Sequence, residues 1–181
     1  LEIYKARFAN PADFTFIFVG NVDPADEAFQ QLVCTWLGGM TTSNKKENVR
    51  DNGERAPEGI NKNYFTRRME TKTASNRIQY TSYDIPYTLA NELNMEMIGR
   101  ILSTRYLESI REREGGSYGV GCGGGMNILP VAKAYLIMQF DTDPEKQEKL
   151  MGIIHEEVQT IIANGPLAKD LQKEKESMLK D

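Results

Sequence analysis

The chain has 181 residues, 40% of them hydrophobic, which predicts one domain with a substantial core. Its 26 acidic against 22 basic residues leave a net charge of −4, which argues against a nucleic-acid backbone as partner. No apolar run approaches the ~18 residues of a membrane span, so a spanning helix is excluded as well.

The local basic pairs Lys45-Lys46 and Arg67-Arg68 read as solvated surface. Cys34 falls in a helical pattern and Cys122 in a strand pattern, so two free buried thiols are expected rather than a disulfide. Leu1 opens the chain without an initiator methionine or signal peptide, and the charged helix Leu171–Lys180 runs to the end without a stop signal. Both ends predict a piece excised from a longer protein.

In chain order, the β-branched and aromatic run from Asp13 to Gly20 predicts a strand. Asp23 is placed to cap a helix with Pro24 at its first position. Ala25, Ala28, Phe29, Leu32, Val33, Trp36 and Leu37 then form an apolar stripe at helical spacing, with Trp36 expected in the core. Gly38-Gly39 ends that helix. Met40 to Asn63 lacks periodicity and predicts a long exposed loop, the most mobile internal region. Tyr64–Thr71 and Arg77–Tyr83 read as two strands of an antiparallel hairpin turning at 72–76.

The longest helix is predicted from about Thr88 to Arg113, with Leu89, Leu93, Met97, Ile98, Ile101, Leu102 and Ile110 on its buried face. It stops at Gly115-Gly116, where glycine takes positive φ freely, and Arg111 and Arg113 offset the negative end of its dipole. A glycine-laced strand follows over Ser117–Gly123, and a second over Ala134–Asp141. Alternation sets Tyr118, Val120 and Cys122 on one face, and Ser117, Gly119, Gly121 and Gly123 on the other. A face of glycine leaves room for a backbone or ligand to approach. Pro144–Asn164 is helical, with Leu150, Ile153, Ile154, Val158, Ile161 and Ile162 inward, and Gly165-Pro166 precedes the last helix.

The predicted order is β-α-β-β-α-β-β-α-α. It describes an α+β fold in two layers, a largely antiparallel sheet of about five strands with helices on one face. No internal repeat or linker divides residues 1–181, so a single domain is expected.

Gly119-x-Gly121-x-x-Gly124 spells a dinucleotide fingerprint, and Asp141 even stands where the ribose acid would. That motif needs a strand before the glycines and a helix opening on them, and here the order is reversed. His155 is the one histidine, without the spaced partners of a metal site or the elbow of a serine nucleophile. No complete catalytic set is present. What remains is Arg111 and Tyr118, seven residues apart across the helix-to-strand turn. A guanidinium fork and a phenol O–H could together hold a carbonyl oxygen, including one becoming an oxyanion. They could equally be a dipole-capping arginine and a half-buried strand tyrosine.

Ile110-Arg111-Glu-Arg-Glu-Gly-Gly-Ser-Tyr118-Gly-Val120 resembles the Leu-Arg-Glu-x-x-Gly-x-x-Tyr-x-Val segment in the C-terminal half of insulinase/pitrilysin-type zinc peptidases. The strand-like run closing on Gly20-Asn-Val-Asp23 and the Gly165-Pro-Leu region resemble the same half, and the likeness covers about Phe8 to Met178. The resemblance implies that Arg111 and Tyr118 hold a substrate carbonyl oxygen near the scissile bond, with Gly119 and Gly121 beside them in substrate binding. It implies no cofactor in this chain. Zinc is expected in the missing half or a partner subunit, since the inverted motif His-x-x-Glu-His is absent here. Gly116 and Ser117 stand where relatives often carry a Leu-Ala-like pair.

The implied partners are a peptide substrate and a zinc-bearing half-domain, closing together into a peptide-cutting chamber. The bacterial periplasm or cell envelope is implied ahead of the cytoplasm. A peptidase-like domain serving only as a structural or partner subunit is the competing reading, and an unrelated α+β binding module is the third.

Overall fold

The central strand grows from the cleanest alternation in the sequence. Along Lys133–Thr142 (β3), Ala134, Leu136, Met138, Phe140 and Thr142 are buried while the residues between them are not. The computed structural model describes residues 1–68, 70–117 and 119–180, Arg7 by its backbone alone. It places Ala74–Ser82 (β1) and Val120–Asn127 (β2) on either side of β3, both antiparallel. The register sets Ile78 and Cys122 on opposite sides of Met138, so one apolar row crosses the sheet.

By its contacts the chain falls into two compact units, Leu1–Arg50 and Asp51–Asp181. The first holds the helices Glu2–Arg7 (α1) and Glu27–Trp36 (α2). Asp23 does cap a turn, its carboxylate accepting from the Ala25 amide at 2.9 Å, but Asp26 accepts from Ala28 at 2.9 Å and starts the helix proper. Two expectations are corrected in this unit. The predicted strand from Asp13 to Gly20 is a 3-10 turn, Pro11–Asp13, followed by irregular chain. β propensity describes a segment that suits a pleated surface, but a ladder also needs a neighbour to pair with. Here Phe14 and Phe18 make ring contacts instead, with Phe8 and Phe16 and with Phe29. Trp36 is 73% exposed, so the stripe of α2 does not form a core.

Residues 41–57 carry neither helix nor strand, in keeping with the predicted loop, yet side chains tie them down. Asn10 accepts from the Ser43 amide at 3.1 Å, and Asp13 from the Glu47 amide at 2.9 Å. In the second unit the Tyr83 hydroxyl accepts from the Ala56 amide at 2.8 Å while Arg55 lies over its ring.

The predicted hairpin is also corrected. The described part of 64–71 forms no strand, and β1 pairs along its whole length with β3, far away in sequence. Tyr64 and Phe65 are exposed, whereas pairing with β3 aligns Ile78 with the buried row. The sheet therefore has three strands among the described residues, in the order β1-β3-β2, where about five were expected. The α+β class stands.

Thr88 caps Leu89–Tyr106 (α3), its hydroxyl accepting from the Asn91 amide at 3.0 Å. Only the later part of the predicted buried face is buried. Ile101, Leu102, Tyr106 and Ile110 are in the core, while Leu89 and Leu93 are exposed. Gln147–Asn164 (α4) supplies Leu150, Ile154 and Val158, while Ile162, predicted inward, is exposed. Ala168–Met178 (α5) follows Gly165, whose φ of 71° ends α4. Arg105 joins the three helices, pairing with Glu157 at 2.6 Å and reaching Asp170 at 3.9 Å.

Candidate functional site

α3 does not end where its α-helical hydrogen bonding ends. It passes into a π-helical stretch, Leu107–Arg113, and stops at Gly115, whose φ of 54° is the positive value the glycine was expected to supply. Arg111 stands exposed on this stretch, while Ser109 and Ile110 are buried. Among the described residues no side chain pairs with Arg111.

The turn below Arg111 is held firmly. The Gly116 amide donates to the Ile110 carbonyl at 3.0 Å, and the Thr142 hydroxyl donates to the Gly116 carbonyl at 2.5 Å. A Cβ on Gly116 would lie 2.8 Å from the end of the Leu150 side chain, which accounts for glycine where a larger residue would crowd α4. Ser117 donates to the Gly119 carbonyl at 2.8 Å. Tyr118 lies outside the described residues, so its distance from Arg111 is not part of this geometry.

The glycines divide between the two faces of β2. At Gly119, Gly121 and Gly123 an added Cβ would meet nothing within 4 Å. Gly124, facing the helices, lies against the Met95 carbonyl of α3. Both of the predicted substrate-facing glycines, Gly119 and Gly121, are thus on the open side. Gly119 also borders a shallow groove of about 350 Å³ lined by Ser75, Asn76, Arg77, Gln139 and Asp141. Apart from Asp141, sequence reasoning missed these residues, because only the registers of β1 and β2 on β3 bring them together with Gly119. Of the fingerprint glycines, Gly119 just precedes β2 and Gly121 and Gly124 lie in it, with a strand after them, so no helix opens on a phosphate there.

The other titratable candidates sit elsewhere. His155 is exposed on α4, its Nδ1 2.6 Å from the Tyr80 hydroxyl, whose pKa burial raises. Cys122 is free, and burial pushes its thiol up to about 12; Cys34 is free but exposed, against the expectation of two buried thiols. Among the described residues no group of three His, Cys, Asp or Glu could hold a metal ion, and no helix is long and apolar enough to cross a membrane.

The family model described as the peptidase M16 inactive domain matches residues 1–178. The chain belongs to the peptidase M16 family. The match is to the family's C-terminal, non-metal domain, as the insulinase-type resemblance implied, and that domain carries no zinc site of its own. Among curated proteins, the chain is 24% identical over 172 residues to the "Probable zinc protease PqqL" of Escherichia coli, covering 93% of this chain and 18% of that protein. It is 22% identical over 182 residues to the "Zinc protease PQQL-like" of Arabidopsis thaliana, covering 94% of this chain and 19% of that protein. The chain thus spans under one fifth of the length of these relatives. No solved structure gives a significant match.

Proposed function

We propose that this chain is the substrate-binding, non-metal half-domain of a zinc metallopeptidase. A peptide carbonyl oxygen rests on Arg111 and Tyr118 while the peptide backbone passes over Gly119 and Gly121. Zinc, which would activate the attacking water, sits in the other half of the same protein or in a partner subunit. The observation that carries this reading is the placement of Arg111. It is exposed and unpaired among the described residues, at the head of a fixed turn that leads to an open glycine face.

A guanidinium offers a fork of charged donors, strongest where charge develops on an oxyanion as the scissile carbonyl is attacked. The phenol of Tyr118 would add one O–H to the same oxygen. In the full-length protein, Arg111→Ala and Tyr118→Phe should each lower kcat/KM by roughly tenfold to a thousandfold, the loss expected for one oxyanion donor. The double variant should lose less than the product of the two if both groups address one oxygen. Unchanged turnover in both variants would refute the reading.

The family description of this domain as inactive supports a second reading, a peptidase-like domain that serves only as a structural partner. That reading predicts no kinetic effect of either substitution.

A further inference from the structure

The core-facing row of β3 ends on a polar residue. After Ala134, Leu136, Met138 and Phe140 it reaches Thr142, which is only 5% exposed. A buried hydroxyl needs a partner, and this one finds it outside the sheet. It donates to the carbonyl of Gly116, 26 residues back in the chain and buried as well. Among the described residues no backbone amide donates to that carbonyl. Gly116 stands between the helical stretch ending at Arg113 and the strand beginning at Val120, so neither a helix nor a ladder serves it.

Gly116 is thus held from two sides. Its amide donates to the carbonyl of Ile110, the residue just before Arg111, which ties it to the helix end. Its carbonyl is tied by Thr142 to the sheet, at the end where β2 begins, since Val120 pairs with Phe140. The Thr142 hydroxyl therefore links the turn after Arg111 to the strand that β2 lies against. Valine has the same shape as threonine with a methyl in place of the hydroxyl, so packing alone does not account for threonine here.

We infer that Thr142 is a positioning residue, its hydroxyl fixing the turn that sets Arg111 against the glycine face of β2. The inference rests on the role proposed for Arg111, and it adds a buried residue that acts only through the turn. Misplacing a substrate-holding group by ~1 Å can cost on the order of a hundredfold in rate, so a hydroxyl without substrate contact can still govern turnover.

The test is made in the full-length protein with a reporter peptide, and melting temperatures are taken on the same samples. Thr142→Val keeps the shape and removes the hydroxyl, whereas Thr142→Ser keeps the hydroxyl and removes a buried methyl. Thr142→Val should lower kcat/KM by roughly tenfold to a hundredfold, and Thr142→Ser should stay within about threefold of wild type. Placed in an Arg111→Ala background, Thr142→Val should change kcat/KM less than about twofold, because the group it positions is gone. Equal activities of the Val and Ser variants would overturn the inference. So would a Val effect of the same size with and without Arg111, which would mark Thr142 as a merely structural residue. Should the Val variant not fold, Thr142→Ala against Thr142→Ser makes the same comparison, since those two differ only in the hydroxyl, and equal activities there overturn the inference too. If Arg111→Ala alone leaves activity intact, the proposed function fails first and this inference with it. If Arg111→Ala acts but the variants with and without the hydroxyl agree, only the inference about Thr142 fails.

Discussion

Gly99 of α3 and Gly124 of β2 meet backbone against backbone. A Cβ built on Gly99 would stand well inside 3.0 Å of the Gly124 amide nitrogen, and one on Gly124 equally close to the Met95 carbonyl. Helix and sheet approach this closely because both residues lack a side chain. The closeness brings the later half of α3, with Ile101, Leu102 and Tyr106, onto the sheet and into the core.

Gly99→Ala should therefore destabilise the fold. Alanine gains about 1 kcal/mol of helix propensity over glycine, but the obstacle is backbone and cannot rotate away. Overpacking of about 1–3 kcal/mol should win, and a denaturant titration would read it as a lower midpoint. A midpoint equal to or above wild type would show that α3 and β2 have more room than this contact allows.

Gly121 should behave in the opposite way. Nothing lies within 4 Å of where its Cβ would be, and its backbone is ordinary strand. Gly121→Val should leave the melting temperature unchanged or slightly raised, since valine suits a strand better than glycine. In the full-length protein it should raise KM by obstructing the peptide. A fall in stability with unchanged KM would mean that the open face serves folding rather than binding.

How far these features could be read from sequence depended on whether they were local. Lys133–Thr142, the α4 stripe and the stop at Gly115 each follow from residues within one or two turns of one another. The run from Asp13 to Gly20 has every local property of a strand, and among the described residues no partner pairs with it. Likewise, Arg77 and Asp141 become neighbours of Gly119 only through strand register, which no short window contains. The π-turn was hidden for a third reason. Its seven residues, Leu107–Arg113, contain no glycine or proline that would mark a change of winding.

Cys122 links packing to pH. Its thiol is pushed up to about 12 by burial, and the phenol of Tyr106, in the same core, is raised as well, first by burial and then by Cys122 itself. A raised folded-state pKa gives stability that is fully present below the unfolded value, ~8.5 for a thiol. It is lost as pH rises from there toward about 12. Stability should therefore decline through this alkaline window, and more gently in Cys122→Ala. A thiol reagent at pH 8 should modify the exposed Cys34 at once and the half-buried Cys122 much more slowly. Equal labelling rates for both would contradict the half-buried placement of Cys122.

The loop after α2 is anchored at its first half. The amides of Ser43 and Glu47 are held by Asn10 and Asp13, whereas among the described residues no side chain accepts from the backbone amides of 58–63. Amide exchange should be slower at Ser43 and Glu47 than across 57–63. Uniform fast exchange over 41–63 would show that those side-chain bonds do not persist.

Arg111 and Arg113 share the last turn of one helix, and comparing them isolates the central claim. Both cations face the same dipole, so capping alone would make them equivalent. Arg113 borders a groove beside Glu156 and Glu157 of α4, and Arg111 does not line it. The decisive measurement is kcat/KM of full-length Arg111→Ala beside full-length Arg113→Ala, with melting temperatures taken on the same samples. Arg111→Ala should lose roughly tenfold to a thousandfold in kcat/KM, with at most about 1 kcal/mol of stability, while Arg113→Ala stays near wild-type activity. Equal and small effects of the two on turnover would contradict the assignment of this turn to substrate binding.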